Sequence, residues 1–183
     1  MSIRKEYLAG KFEQTPEGIY FPVSRVLAQG KFGVSKRGQP EEVYENLVVN
    51  EGLNYLLGAG FGATSVLGNW YIALFSGNIT VQATLTAATF PATATEWTNY
   101  DETTRGAWTR GSVAAGAVNS FADKASFTSS ADAQTVRGAA LLSDSAKGAV
   151  TGKLMAAARF GTDKGLDEGE ILDVGYGFQL TAV

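Results

Sequence analysis

Asn50-Glu51-Gly52-Leu53-Asn54-Tyr55-Leu56-Leu57-Gly58-Ala59-Gly60-Phe61-Gly62, followed after a short link by Trp70-Tyr71-Ile72-Ala73-Leu74-Phe75, is the stretch that decides the fold. Its first part has the marks of one helix. Asn50 suits an N-cap and Glu51 the first turn, while Leu53, Tyr55, Leu56 and Leu57 supply an apolar face. Gly58 or Gly60 ends it, so the spacing predicts a helix over about 50–59. Beyond the glycines the helical period is lost. Trp70–Phe75 is a compact apolar run closed by Ser76-Gly77-Asn78, which predicts a buried strand.

Downstream, the pattern stays that of strands. Val113–Val118, Ala125–Thr128, Thr135–Leu142 and Ala149–Phe160 are β-rich pieces separated by Ser, Asp, Lys and Gly turns. Glu170–Val183 alternates through Ile171, Val174, Tyr176, Phe178 and Leu180. Its parity slips between Ile171 and Val174, which predicts a bulge near Asp173. Short strands at this spacing point to an all-β chain, a β-sandwich or a barrel. Strands fill it from about residue 66 to 183, in a domain that spans 46–183.

Upstream, residues 1–50 hold seven Lys/Arg and six Asp/Glu, whereas Gly52 to Thr95 contains no charged residue. Ile19–Leu27 is β-rich, though Pro22 restricts it to an edge or an irregular strand. Gln29–Ser35 is placed to pair with it, and Lys36-Arg37-Gly38-Gln39-Pro40 reads as a turn or linker. Two readings of residues 1–45 stay open. One is an extended N-terminal arm that docks on a neighbour; the other is a hairpin packed on its own domain. Met1–Glu6 carries charges with no apolar run after them, so no signal peptide is expected. The uncharged stretch Leu56–Gly77 is rich in Gly, Thr and Ser and lacks a basic flank, which argues against a membrane span.

The composition excludes much chemistry. The 183 residues include no histidine and no cysteine. That removes Ser-His-Asp and Cys-His triads, the usual zinc ligand sets, thiol redox chemistry and disulfides. A net charge of −3 gives no strong pull toward nucleic acid or an anionic membrane. Gly58-Ala59-Gly60-Phe61-Gly62-Ala63 matches G-x-G-x-x-A, but it follows a helix and precedes a strand, the reverse of a dinucleotide site. Asp163–Glu170 is acidic, yet its spacing is not that of a calcium loop, and a solvated turn explains it. Glu96, Asp101 and Glu102 are the carboxylates nearest to an acid/base set, and they follow no glycosidase pattern beyond their number.

Glu96–Trp108 concentrates two Trp, a Tyr, three carboxylates and an Arg. Trp, Tyr and Arg are the types enriched at interface hot spots, and they also suit sugar stacking. The alternative is that Trp97 and Trp108 fill the core while Arg105 pairs with Asp101 or Glu102. Interface candidates are therefore Trp97, Tyr100, Arg105 and Trp108, with Phe12, Tyr20, Phe21 and Phe32 from the N-terminal segment.

Several pieces together resemble virion proteins of tailed bacteriophages. They are Asn46–Asn54, Trp70–Gly77, Ala94–Trp97 with Tyr100, Thr104–Trp108, Ala158-Arg159-Phe160 and Leu166–Val174, within residues 46–183. The segments are similar to small proteins that decorate or cement the capsid shell, and to related tail-associated proteins. The resemblance implies a β-sandwich, often jelly-roll-like, in a homo-oligomer (dimer or trimer) on a capsid lattice. It implies a structural protein rather than an enzyme, with no cofactor and no metal. The expected partners are the major capsid protein and other copies of the chain, with no direct nucleic acid and no membrane. The expected location is the capsid surface of a virion assembled in the bacterial host cytoplasm. The alternatives are a tail- or fibre-associated virion protein and a carbohydrate-binding or hydrolytic β-sandwich.

Overall fold

The computed structural model describes residues 12–14, 16, 20–22 and 26–182, with side chains for Pro16 and residues 26–182. Among these, the strands in chain order are β1 (Phe12–Gln14), β2 (Tyr20–Pro22), β3 (Val26–Lys36), β4 (Glu42–Glu45), β5 (Leu47–Val48), β6 (Tyr71–Phe75), β7 (Glu96–Trp97), β8 (Gly106–Ala107), β9 (Ala117–Asn119), β10 (Ala125–Thr128), β11 (Gln134–Leu142), β12 (Leu154–Leu166) and β13 (Ile171–Ala182). Two helices interrupt them, α1 (Asn50–Gly60) and the four-residue α2 (Phe90–Thr93). The sequence pointed to one helix. The second is a single turn with Pro91 near its start, too short to leave a periodic signal.

Two antiparallel sheets pack as a sandwich. One runs β10-β13-β3-β4, with β9 also on β13; the other runs β5-β12-β11-β6-β7, with β8 also on β6. The second sheet is buried on both faces, and this explains its continuous apolar runs. Ile72 and Leu74 of β6, Ala139 and Leu141 of β11, and Ala156 and Ala158 of β12 point into the space between the sheets. Their neighbours Ala73, Phe75, Ala140, Leu142, Leu154 and Ala157 point the other way, beneath Leu85, Ala87, Phe90 and Ala94. The charge-free stretch thus supplies a third layer, where an unpaired charge would have to be buried at a cost of several kcal/mol. Gly138 sits where β11 changes register, and a Cβ there would collide with the Phe75 ring and the Ala158 carbonyl.

The first sheet is covered mainly on one face, and β13 alternates accordingly except at Gly175 and Gly177, which lie under Phe121 on the other face. Its inward set is Leu172, Val174, Tyr176, Phe178 and Leu180. Pairing with β3 is continuous from Leu172↔Lys36 to Ala182↔Val26, so the bulge expected near Asp173 is absent. The slip in parity arises because Ile171 belongs to the opposite face. Two other strands are displaced from their expected ranges by turns. Ala115 and Gly116 adopt positive φ, so only Ala117–Asn119 is strand there. Gly148 and Gly152 do the same ahead of β12, which starts at Leu154 and runs on to Leu166.

Residues 26–45 belong to the sandwich. Gln29–Ser35 lies within β3, which pairs with β13 and β4 instead of with the segment before it. Lys36–Pro40 is the β3–β4 turn, with Gly38 at positive φ. The boundary at residue 45 therefore cuts through a sheet. β1 and β2 pair with each other as a separate two-stranded sheet. Phe12, Tyr20 and Phe21 fall on these strands, and their side chains lie outside the described residues.

Helix α1 is held by tertiary contacts more than by caps. Its N-cap is Val49 and not Asn50, with no side-chain cap bond. Glu51 reaches out of the helix instead and accepts from the backbone N–H of Ala87 and of Leu154, both at 2.8 Å. Gly52 lies against the Met155 backbone so closely that a Cβ would clash with it. Tyr55 packs edge-on against Trp70 at 5.3 Å, and its hydroxyl accepts from the Leu67 N–H.

Candidate functional site

The residues singled out for chemistry or contact meet at one end of the sandwich. Short β7 carries Glu96 and Trp97, the loop after it carries Tyr100 and Glu102, and Arg105 precedes β8. Arg105 is buried to the end of its guanidinium, and Glu96 is almost as covered. The pair is bidentate, with Nε donating to Oε1 at 2.8 Å and Nη2 donating to Oε2 at 2.7 Å. Nη1 also donates to the Asp144 carbonyl at 3.0 Å, and Nη2 to the Ala149 carbonyl at 3.1 Å. The Gly148 N–H donates to Glu96. Arg105 therefore pins the 143–150 loop to the β7–β8 connection. Its partner is Glu96, not Asp101 or Glu102. Glu102 instead accepts from the Thr128 N–H and hydroxyl.

The aromatic candidates line the adjacent core. Trp97 is buried and donates its indole N–H to Gln134 Oε1 at 3.0 Å. Tyr100 is buried between Trp97 at 5.3 Å and Phe127 at 5.1 Å. Lys147 caps it, with Nζ 3.6 Å from the ring centroid and donating to the Tyr100 carbonyl. Burial lowers the Lys147 pKa, against the pull of Glu102, Asp101 and Glu96. Burial, with Glu96 nearby, raises the Tyr100 hydroxyl well above its ordinary value. Trp108 donates its indole N–H to the Tyr176 carbonyl at 3.0 Å. Phe32 is fully buried and packs on Tyr176 with ring centroids 4.6 Å apart.

None of Phe32, Trp97, Tyr100, Arg105 and Trp108 therefore presents a side chain to a partner. The reason is physical. A large aromatic ring contributes most by filling the gap between two sheets, about 1.5–3 kcal/mol for full burial. Both tryptophan N–H groups also find acceptors inside. A sugar has no exposed indole face to stack on. The groove of about 640 Å³ along Asn69–Tyr71 and Ala107–Ser112 has Arg110 as its single charged side chain, with Trp70 and Trp108 buried in its floor. Both Glu96 oxygens are taken up by the Arg105 guanidinium, and one of them also by the Gly148 N–H. Among the described residues no three carboxylates converge to hold a metal ion. Asp167–Gly169 is the turn that carries the chain from one sheet to the other. Among them, too, no helix is long and apolar enough to cross a membrane.

Groups available to a partner lie elsewhere. On α1 and the loop after it, Leu53, Leu57 and Phe61 recur at helical spacing along an outward stripe. Leu57 is 60% exposed and Phe61 86%, and Val66 follows nearby in the chain. From the sequence, Leu53 and Leu57 read only as part of the helix's apolar face, and Phe61 and Val66 only as part of the uncharged Leu56–Gly77 stretch. Glu51 and Lys147, the anchors of α1 and of the Tyr100 loop, had no motif to mark them.

A scan of the chain against protein-family models finds no match, and a search of the curated proteins finds none either.

Proposed function

We propose that this chain is a non-catalytic building protein of a tailed-phage particle, a decoration protein that docks on the head shell through the outward face of α1. The observation that carries the reading is the stripe Leu57–Phe61, with Val66 beyond it: large apolar groups exposed on a helix that Glu51, Gly52 and Tyr55 fix to the sandwich. Exposed apolar groups on a rigid support bind with little ordering cost. The resemblance of residues 46–183 to phage decoration proteins supports the partner, the major capsid protein, and a location on the capsid surface. The absence of histidine and cysteine, and the internal use of Arg105 and Glu96, support a structural role over an enzymatic one. Each contact can be weak, because a lattice offers many sites and linked copies gain from avidity.

The test is co-sedimentation of the purified chain with emptied heads of the phage that encodes it, with isolated tails in parallel. Saturable binding to heads, weakened about tenfold or more by Phe61→Asp, supports the reading. Binding to tails alone would move the chain to the tail- or fibre-associated alternative. Binding to neither, with turnover or retention of a surface glycan, would replace it with the carbohydrate reading.

A further inference from the structure

A second apolar surface lies at the end of the first sheet. β3 and β13 are the longest pair in that sheet, and they run on past the rest of it. β4 pairs with β3 over Lys31–Val34, with one further bond from the Asn46 N–H to the Gly30 carbonyl, and β9 pairs with β13 over Gly177–Gln179, with one further bond from the Leu180 N–H to the Gly116 carbonyl. The inward face of this ribbon follows one register: Tyr176 opposite Phe32, Phe178 opposite Gly30, Leu180 opposite Ala28, Ala182 opposite Val26. Exposure rises steadily along it. Tyr176 and Phe32 are fully buried and Phe178 and Ala28 are half-buried, while Leu180 is 43% exposed and Val26 70%. The side that builds the core thus continues beyond the second sheet with nothing over it among the described residues.

We propose that this overhanging face is a self-association surface, covered by the same face of a second copy of the chain. Two observations favour a second copy. The face is uncharged, made of Val26, Ala28, Gly30, Phe178, Leu180 and Ala182. A copy of itself therefore meets it without like-charge repulsion, and a charged partner would find nothing to pair with. It is also a continuation of a sandwich interior. A second ribbon laid face to face at the usual sheet spacing of about 10 Å restores the layer that covers Tyr176 and Phe32 further along. A two-fold axis makes such a contact self-complementary and closed. This inference goes beyond shell binding and does not depend on it.

The experiment is sedimentation equilibrium or light scattering on the full chain, with Leu180→Asp and Val26→Lys as separate variants. Both side chains are exposed, at 43% and 70%, so each variant should keep the wild-type circular dichroism and midpoint. The expected result is a wild-type dimer, with each variant weakening dimerisation about tenfold or more. Phe61→Asp, on α1, should leave the dimer intact. A wild-type monomer at about 100 µM would overturn the proposal and assign the face to the chain's own β1–β2 hairpin or to the shell. An oligomer that survives both variants, or one dissolved by Phe61→Asp, would overturn it as well. Loss of head binding by Phe61→Asp with dimerisation unchanged separates the two surfaces.

Discussion

Glu96–Trp108 and Leu53–Val66 invert each other. The first holds the residue types that dominate interface hot spots, and the fold turns all of them inward. The second is a bland run of Leu, Gly, Ala and Phe around the buried Tyr55, and its Leu57, Phe61 and Val66 face water. Composition tells which groups can bind strongly; topology decides whether they are free to. In a thin sandwich, rings and a bidentate Arg are the best fillers for the gap between sheets, so hot-spot chemistry is spent on stability. The exposed face then falls to a helix whose other side is fixed to β12.

The sharpest way to break this comparison is to remove Arg105. Arg105→Ala strands the Glu96 carboxylate in the core and releases the 143–150 loop. It should cost about 3–5 kcal/mol in urea denaturation. A double variant with Leu at both positions should cost less than Arg105→Ala alone, because no buried charge is left unpaired. A cost below about 1 kcal/mol for Arg105→Ala would mean that the pair is hydrated, and its end of the sandwich open.

Gly52→Ala is the next largest. The added methyl meets the Met155 backbone, which has little room to retreat. A loss of about 1–3 kcal/mol is expected, together with weaker shell binding as α1 shifts. Trp97→Phe should cost about 1 kcal/mol through the lost bond to Gln134, with shell binding unchanged. Reduced binding with full stability would return Trp97 to the interface.

Acid should act gently and on the surface pairs. The Arg159 hydrogen bond holds the Asp163 carboxyl below its ordinary value of 3.8, and the Lys36 hydrogen bond does the same for Glu170. Burial pushes Asp173 upward, but the hydrogen bonds from Arg37 and Ser126 outweigh it and lower its pKa. Groups depressed in this way contribute their full stability above the unfolded pKa. They lose it as the pH falls through the folded value. The melting midpoint should therefore hold from neutral pH down to about 5 and decline below about 4. A decline already at pH 6 would point to a group outside this set.

Much of the fold was legible because burial leaves a period. Trp70–Phe75 and Ala139–Leu142 are apolar at every position because both faces of their sheet are covered, and α1 shows itself by Leu53, Tyr55 and Leu56. β3 was harder to place. Lys31 and Ser35 alternate with Phe32 and Val34, and nothing local says that the partner is β13, more than a hundred residues away. Glu51 looked like a first-turn acid, yet its work is to accept two backbone N–H groups from distant segments. The candidate site was the least legible part. A ring that fills a core and a ring that anchors a partner are the same residue in the same kind of segment, and only the sheet above it tells them apart.

The outward face of α1 gives the most direct test of the account. Leu57→Asp and Phe61→Asp should each change stability by no more than about 0.5 kcal/mol, since neither side chain is packed. Binding to emptied heads should fall about tenfold or more in both, while Trp97→Phe binds as wild type. If Phe61→Asp saturates heads at the same concentration as the wild-type chain, α1 is not the docking face and the account is wrong.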